Sequence, residues 1–126
     1  EIIMKKNQDE VIAATEYYKK GRKKIKGYGY VKNGKKDGLW TWWYKSGKKE
    51  SEWNYKNGKG NGSCTVWFES GQKEYECHFK NGNYNGRITH WYESGMKSAE
   101  RYFKDGDGDG CWTYWHENGM KWNEKD

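Results

Sequence analysis

The sequence predicts an all-β chain, a single-layer antiparallel meander of tandem two-stranded hairpin repeats with about 24 residues in each copy. Three observations carry that prediction. The same residue types return at a fixed step, turn residues punctuate every copy twice, and aromatic residues alternate with polar ones between the turns.

The step is plainest in the glycines. Gly34, Gly58, Gly82 and Gly106 form one column, Gly38, Gly62, Gly86 and Gly110 a second, and Gly47, Gly71, Gly95 and Gly119 a third. Between them fall Thr41, Thr65, Thr89 and Thr113; Trp43, Trp67, Trp91 and Trp115; Lys49, Lys73, Lys97 and Lys121; and Glu52, Glu76, Glu100 and Glu124, without a gap over four copies. Thr15, Tyr17, Tyr18 and Gly21 repeat the spacing of Thr41, Trp43, Tyr44 and Gly47, with two residues inserted in the stretch from Arg22 to Tyr30. The expected organisation is one repeat domain over 1–126. Residues 1–34 are a degenerate capping repeat, 35–58, 59–82 and 83–106 are regular, and 107–126 is an incomplete last copy.

Each strand follows from the turns that bound it. Turns are expected at Ser46-Gly47, Asn57-Gly58, Ser70-Gly71, Asn81-Gly82, Ser94-Gly95 and Asn118-Gly119. Asn-Gly is the strongest short hairpin signal, because both central residues of a type I′ turn take positive φ. The segments between turns are too short for parallel crossovers, so neighbouring strands run antiparallel.

Register follows from asking which turn separates apolar from polar side chains. A two-residue turn at Ser70-Gly71 sets Phe68 opposite Lys73, Val66 opposite Tyr75 and Cys64 opposite Cys77. One face then holds Trp40, Trp42, Tyr44, Trp53, Tyr55, Val66, Phe68, Tyr75, Phe79, Ile88, Tyr92, Phe103, Trp112 and Tyr114, and the other holds the Thr, Glu and regular Trp columns. A three-residue loop with a Gly bulge is the open alternative.

Composition agrees with an aromatic core. Only 33% of residues are hydrophobic, yet nine Trp, eleven Tyr and three Phe are present, with 17 Gly for turns and no Pro. The mean hydropathy of -1.44 would otherwise suit a disordered chain. Formal net charge is +6, with Lys and Glu interspersed as in a solvated two-sign surface. Lys19, Lys20, Arg22, Lys23, Lys24 and Lys26 make the one dense basic run. No nucleic-acid partner is expected. Three Cys cannot all pair, which favours a reducing, cytoplasmic compartment. The opening Glu1 suggests a trimmed leader and keeps a secreted or cell-surface location open.

The chemistry of catalysis is not apparent. Glu50 with Glu52, and Glu74 with Glu76, recur identically in successive copies, whereas a catalytic pair needs one copy to differ. His78, His90 and His116 read as substitutions within columns. Cys64, Cys77, His78 and His90 lack the close paired spacing of zinc ligands. Asp105, Asp107 and Asp109 alternate with glycine as in a calcium loop, but the twelfth-position Glu is missing, and a turn is the plainer reading. No cofactor, no metal and no enzymatic activity are expected.

The unit Tyr55-Lys56-Asn57-Gly58-Lys59 to Gly62, followed by Trp67-Phe68-Glu69-Ser70-Gly71-Gln72-Lys73 and Glu76, resembles the MORN-repeat variant of bacterial YwqK-type proteins. The resemblance extends over about residues 11–126. It implies a β-meander that binds a protein partner, as antitoxin or immunity components bind a toxin. The departures are the missing glycines of the first copy and His116 in place of an aromatic residue. On this reading Trp43, Trp67, Trp91 and Trp115, with Glu52, Glu76 and Glu100 beside them, form the partner-binding surface. Two alternatives remain. Lys19, Lys20, Lys23 and Lys24 would bind anionic lipid, a partner class of eukaryotic MORN relatives; and a Gly, Trp and Tyr repeat suits a cell-wall glycan or choline.

Overall fold

The fold is taken from a computed structural model, which describes residues 2–6, 11–17, 25–110 and 112–122. They form β1 (Ile2–Lys6), β2 (Val11–Tyr17), β3 (Ile25–Lys32), β4 (Lys35–Trp43), β5 (Lys49–Lys56), β6 (Lys59–Trp67), β7 (Lys73–Lys80), β8 (Asn83–Tyr84), β9 (Gly86–Trp91), β10 (Lys97–Lys104), β11 (Asp107–Gly108) and β12 (Thr113–Tyr114). All belong to one antiparallel sheet in sequence order, except that β9 follows β7 with β8 beside it, and β12 pairs with β10. No helix occurs among the described residues. The all-β meander of consecutive hairpins is therefore what the chain adopts.

Two kinds of turn alternate along it. At Asn33-Gly34, Asn57-Gly58, Asn81-Gly82 and Asp105-Gly106 both residues have positive φ, near 52° and then 79° to 90°, the signature of type I′. The flanking residues pair directly, Lys56 with Lys59 and Lys80 with Asn83. Each later turn is also tied to the hairpin before it, since the amides of Gly58, Gly82 and Gly106 donate to the carbonyls of Lys36, Gly60 and Tyr84.

The Ser-Gly turns correct the two-residue register. The Phe68 amide donates to the Gln72 carbonyl and the Gly71 amide to the Phe68 carbonyl, so the loop is the three residues Glu69-Ser70-Gly71, with Gly71 at φ 95°. Phe68 therefore faces Gln72, and Lys73 stands opposite Trp67 instead. A second irregularity, with Glu74 as the extra residue, then restores Val66 opposite Tyr75 and Cys64 opposite Cys77. The expected pairing holds in the strand body because two one-residue shifts cancel. The column of Ser46, Ser70, Ser94 and Asn118 has its own cause: each side-chain oxygen accepts the backbone amide two residues on, at 3.4, 3.5, 3.4 and 2.9 Å. Asn118-Gly119 accordingly forms this loop, and not a type I′ turn, with the Gly119 amide donating to the His116 carbonyl.

The second glycine column marks a further bulge. Asn54 alone opposes Asn61, Gly62 and Ser63, between the pairs Trp53 with Cys64 and Tyr55 with Gly60. Gly62 has φ 105°, and the Asn54 amide nitrogen donates to the Ser63 carbonyl at 2.9 Å. Two extra residues preserve side-chain parity, so the faces do not exchange.

The apolar face expected from the register is the face that carries the core. Ala14, Val31 and Trp40 form one buried cluster with Trp42 and Tyr55 against it. Cys64, Cys77 and Ile88 form the other, beneath Trp53, Val66, Tyr75, Phe79, Tyr84 and Phe103. Burial on a single sheet is achieved by rings that lie flat upon it. A Cβ on Gly29 would sit 2.4 Å from the Trp40 ring, and one on Gly27 2.5 Å from Trp42, so these glycines are the bed for both indoles. Trp40 Nε1 donates to the Tyr30 carbonyl at 2.9 Å, which lets the whole ring leave water. Burying a ring of that size is worth about 4–6 kcal/mol of transfer free energy.

Candidate binding surface

The polar face is built as a grid. Across the strands Thr15, Tyr28, Thr41, Glu52, Thr65, Glu76, Thr89, Glu100 and Thr113 stand directly opposite one another in succession. Two residues beyond Thr41, Thr65 and Thr89, Trp43 pairs with Lys49, Trp67 with Lys73 and Trp91 with Lys97. The bulge after each of these lysines places it on the same face as the Trp, and its ammonium reaches the Glu of its own strand. Lys49 meets Glu52 at 3.3 Å, Lys97 meets Glu100 at 3.2 Å, and Lys73 pairs with Glu76.

Those lysines also join one repeat to the next. Lys49 Nζ lies 5.5 Å from the centre of the Trp67 ring, and Lys73 Nζ 5.9 Å from Trp91. Trp43, Trp67, Trp91 and Trp115 are all half-buried. A shallow groove of about 350 Å³ runs between Trp67 and Trp91, bounded by Gly71, Gln72, Lys73 and Gly95. The structure thus brings together on one face the Trp and Glu residues singled out from the sequence. The exposed ion pairs add at most about 1 kcal/mol each and chiefly fix the side chains in place. Lys19, Lys20, Lys23 and Lys24 lie outside the described residues.

On the apolar face a row of contacting rings runs from Trp53 through Phe79, Tyr84 and Phe103 to Trp112, with centres 4.9 to 5.4 Å apart. Beside it Cys64 and Cys77 face each other as free, buried thiols. The facing Cys77 thiol, and burial with it, push the Cys64 thiol far up, so it stays protonated at neutral pH. Burial likewise raises the Tyr75 phenol. His90, read from the sequence as a mere substitution, sits 2.9 Å from Arg101 through Nε2. Burial first, and the guanidinium second, hold His90 below its ordinary value, so at neutral pH its Nε2 accepts from Arg101. Sequence reasoning missed Arg101 and Ala99; the only signal was that Ala99 occupies the column of Ser51 and Tyr75. Among the described residues no three His, Cys, Asp or Glu side chains converge to hold a metal.

Comparison with known proteins places this geometry. Residues 36–57 and 61–81 match the family model described as MORN repeat variant, so that β4 with β5, and β6 with β7, are each one such repeat, in tandem. The matched segments cover less than half of the chain, and they support the MORN-variant family. No curated protein matches the chain. MORN repeats are generally binding modules, with proteins or membrane lipids as the partners they suggest.

Proposed function

We propose that the chain is a non-enzymatic binding module of the antitoxin or immunity type, whose protein partner docks on the polar face along Trp43, Trp67, Trp91 and Trp115. The observation that carries this reading is the construction of that column. Two of its rings, Trp67 and Trp91, are held by lysines of the neighbouring repeat, 5.5 and 5.9 Å away, and all four remain partly open to solvent. Aromatic groups already fixed in place lose little entropy on binding, and Trp is the residue most enriched where interface energy concentrates. Glu52, Glu76 and Glu100 lie beside the rings with lysine partners, so they supply polar contacts without a bare charge.

The test sets a protein partner against a lipid one. The chain and a variant with Lys19, Lys20, Lys23 and Lys24 changed to Gln are each immobilised, exposed to extract of the source cell, and titrated separately with phosphatidylserine vesicles. A single protein retained stoichiometrically by both forms, and lost on Trp67→Ala, is the expected result. Vesicle binding that vanishes in the lysine variant, with no protein retained, would overturn the reading.

A further inference from the structure

One row of the apolar face runs from the core out to the end of the sheet. Across the strands Ser51, Val66, Tyr75, His90, Ala99 and Tyr114 stand opposite one another in turn. Ala99 occupies the place that Tyr75 fills one repeat earlier, and its small side chain opens a hollow of about 680 Å³ between His90 and Tyr114. Tyr92, Tyr114 and Trp122 line it with rings, and Trp122 is fixed by stacking on His116 at 3.8 Å. Arg101 also borders it. Its guanidinium lies 5.6 Å from the Phe103 ring and 5.5 Å from Trp112, with one contact to the His90 ring. The side chain is half-buried, and among the described residues the ion pairs of the carboxylates all go to other cations, Lys49, Lys73, Arg87 and Lys97.

A half-buried guanidinium has five N–H donors in a fixed fork, and a ring nitrogen takes only one of them. The remaining donors border a hollow whose size falls within the range of small-ligand sites. We propose that this hollow binds an organic carboxylate with an aromatic body, the carboxylate on Arg101 and the ring against Tyr114 and Trp122. Charge selects the head group, since carboxylate and guanidinium match in bidentate geometry, while the tyrosine and tryptophan walls select a flat apolar remainder. The shared chemistry has two sources, a free aromatic acid or a peptide ending in an aromatic residue. The site is on the face opposite the Trp column, so its failure leaves the proposed partner surface untouched.

The full chain is titrated with benzoate and with the tripeptide Ala-Ala-Phe, and with benzyl alcohol and the tripeptide amide as uncharged counterparts, while NMR follows the His90 ring and the Arg101 side chain. Both carboxylates should shift these signals saturably and compete for one site, with the neutral counterparts weaker by about tenfold or more, as loss of a charged hydrogen bond implies. The tighter of the two carboxylates identifies the source. Arg101→Gln should abolish the response and Arg101→Lys retain part of it. Ala99→Tyr, which restores the residue of the preceding repeat, should abolish binding while thermal unfolding stays cooperative. Equal binding of benzoate and benzyl alcohol, or undiminished binding by Arg101→Gln or Ala99→Tyr, would overturn the proposal.

Discussion

Tyr44 and Tyr92 each reach over one repeat, their hydroxyls donating to the carbonyls of Trp67 and Trp115 at 2.5 and 2.6 Å. Phe68 stands in the same column without a hydroxyl. Phe68→Tyr should therefore add the missing bond to the Trp91 carbonyl and stabilise the chain by about 1 kcal/mol, read as a raised denaturation midpoint. His90 gives a prediction of opposite character. Its folded value lies below the ordinary one of 6.5, so the unfolded chain binds a proton that the folded chain refuses. The stability it contributes is present above that ordinary value and is lost as pH falls through and below it. Urea titrations at about pH 7 and about pH 5 should show a loss that is smaller in His90→Gln, which keeps an acceptor for Arg101. Neither feature was legible in the sequence, because a column records which residue recurs and not which neighbour it touches. The opposition of Cys64 and Cys77, by contrast, was expected from a two-residue turn and holds because the three-residue loop and the bulge at Glu74 cancel.

At the scale of the hairpin, six turns were expected in the right places, and four of them, at Ser46, Ser70, Ser94 and Asn118, are the three-residue loops that had been the open alternative. Asn-Gly marks type I′ at Asn57 and Asn81, since few residues other than Asn and Gly accept the left-handed backbone that it requires, but the same pair at Asn118 closes a three-residue loop. Ser-Gly does not distinguish a two-residue turn from a three-residue loop, and the compensating bulge at Glu74 hides the error one residue later. Gly82 tests this account. Its φ is 85°, and a Cβ there would lie 3.6 Å from Lys59, an ordinary contact, so backbone conformation and not space makes glycine necessary. Gly82→Ala should cost about 1–2 kcal/mol and Gly82→Asn distinctly less, measured by chemical denaturation. The double irregularity opposite Asn54 was also hidden. Glycines at a fixed step show that something recurs, and only the pairing shows that it is a bulge.

Over the whole molecule the repeat divides labour between faces. One face lays its rings on the sheet as core, over Gly27, Gly29 and Gly60, and the other holds an evenly spaced Trp column among paired charges. The division itself could be read from alternation along the strands, while the half-buried state of the Trp column and the hollow beside Ala99 could not, since both depend on contacts between successive repeats. The affinity of the docked partner for Trp67→Ala, with thermal unfolding recorded on the same sample and Phe79→Ala as the core comparison, tests the division most directly. The account predicts that Trp67→Ala binds about 30-fold more weakly, a loss of about 2 kcal/mol, and still melts cooperatively, whereas Phe79→Ala melts much earlier. Unchanged affinity in Trp67→Ala, or a collapse of its melting transition as deep as that of Phe79→Ala, would contradict it.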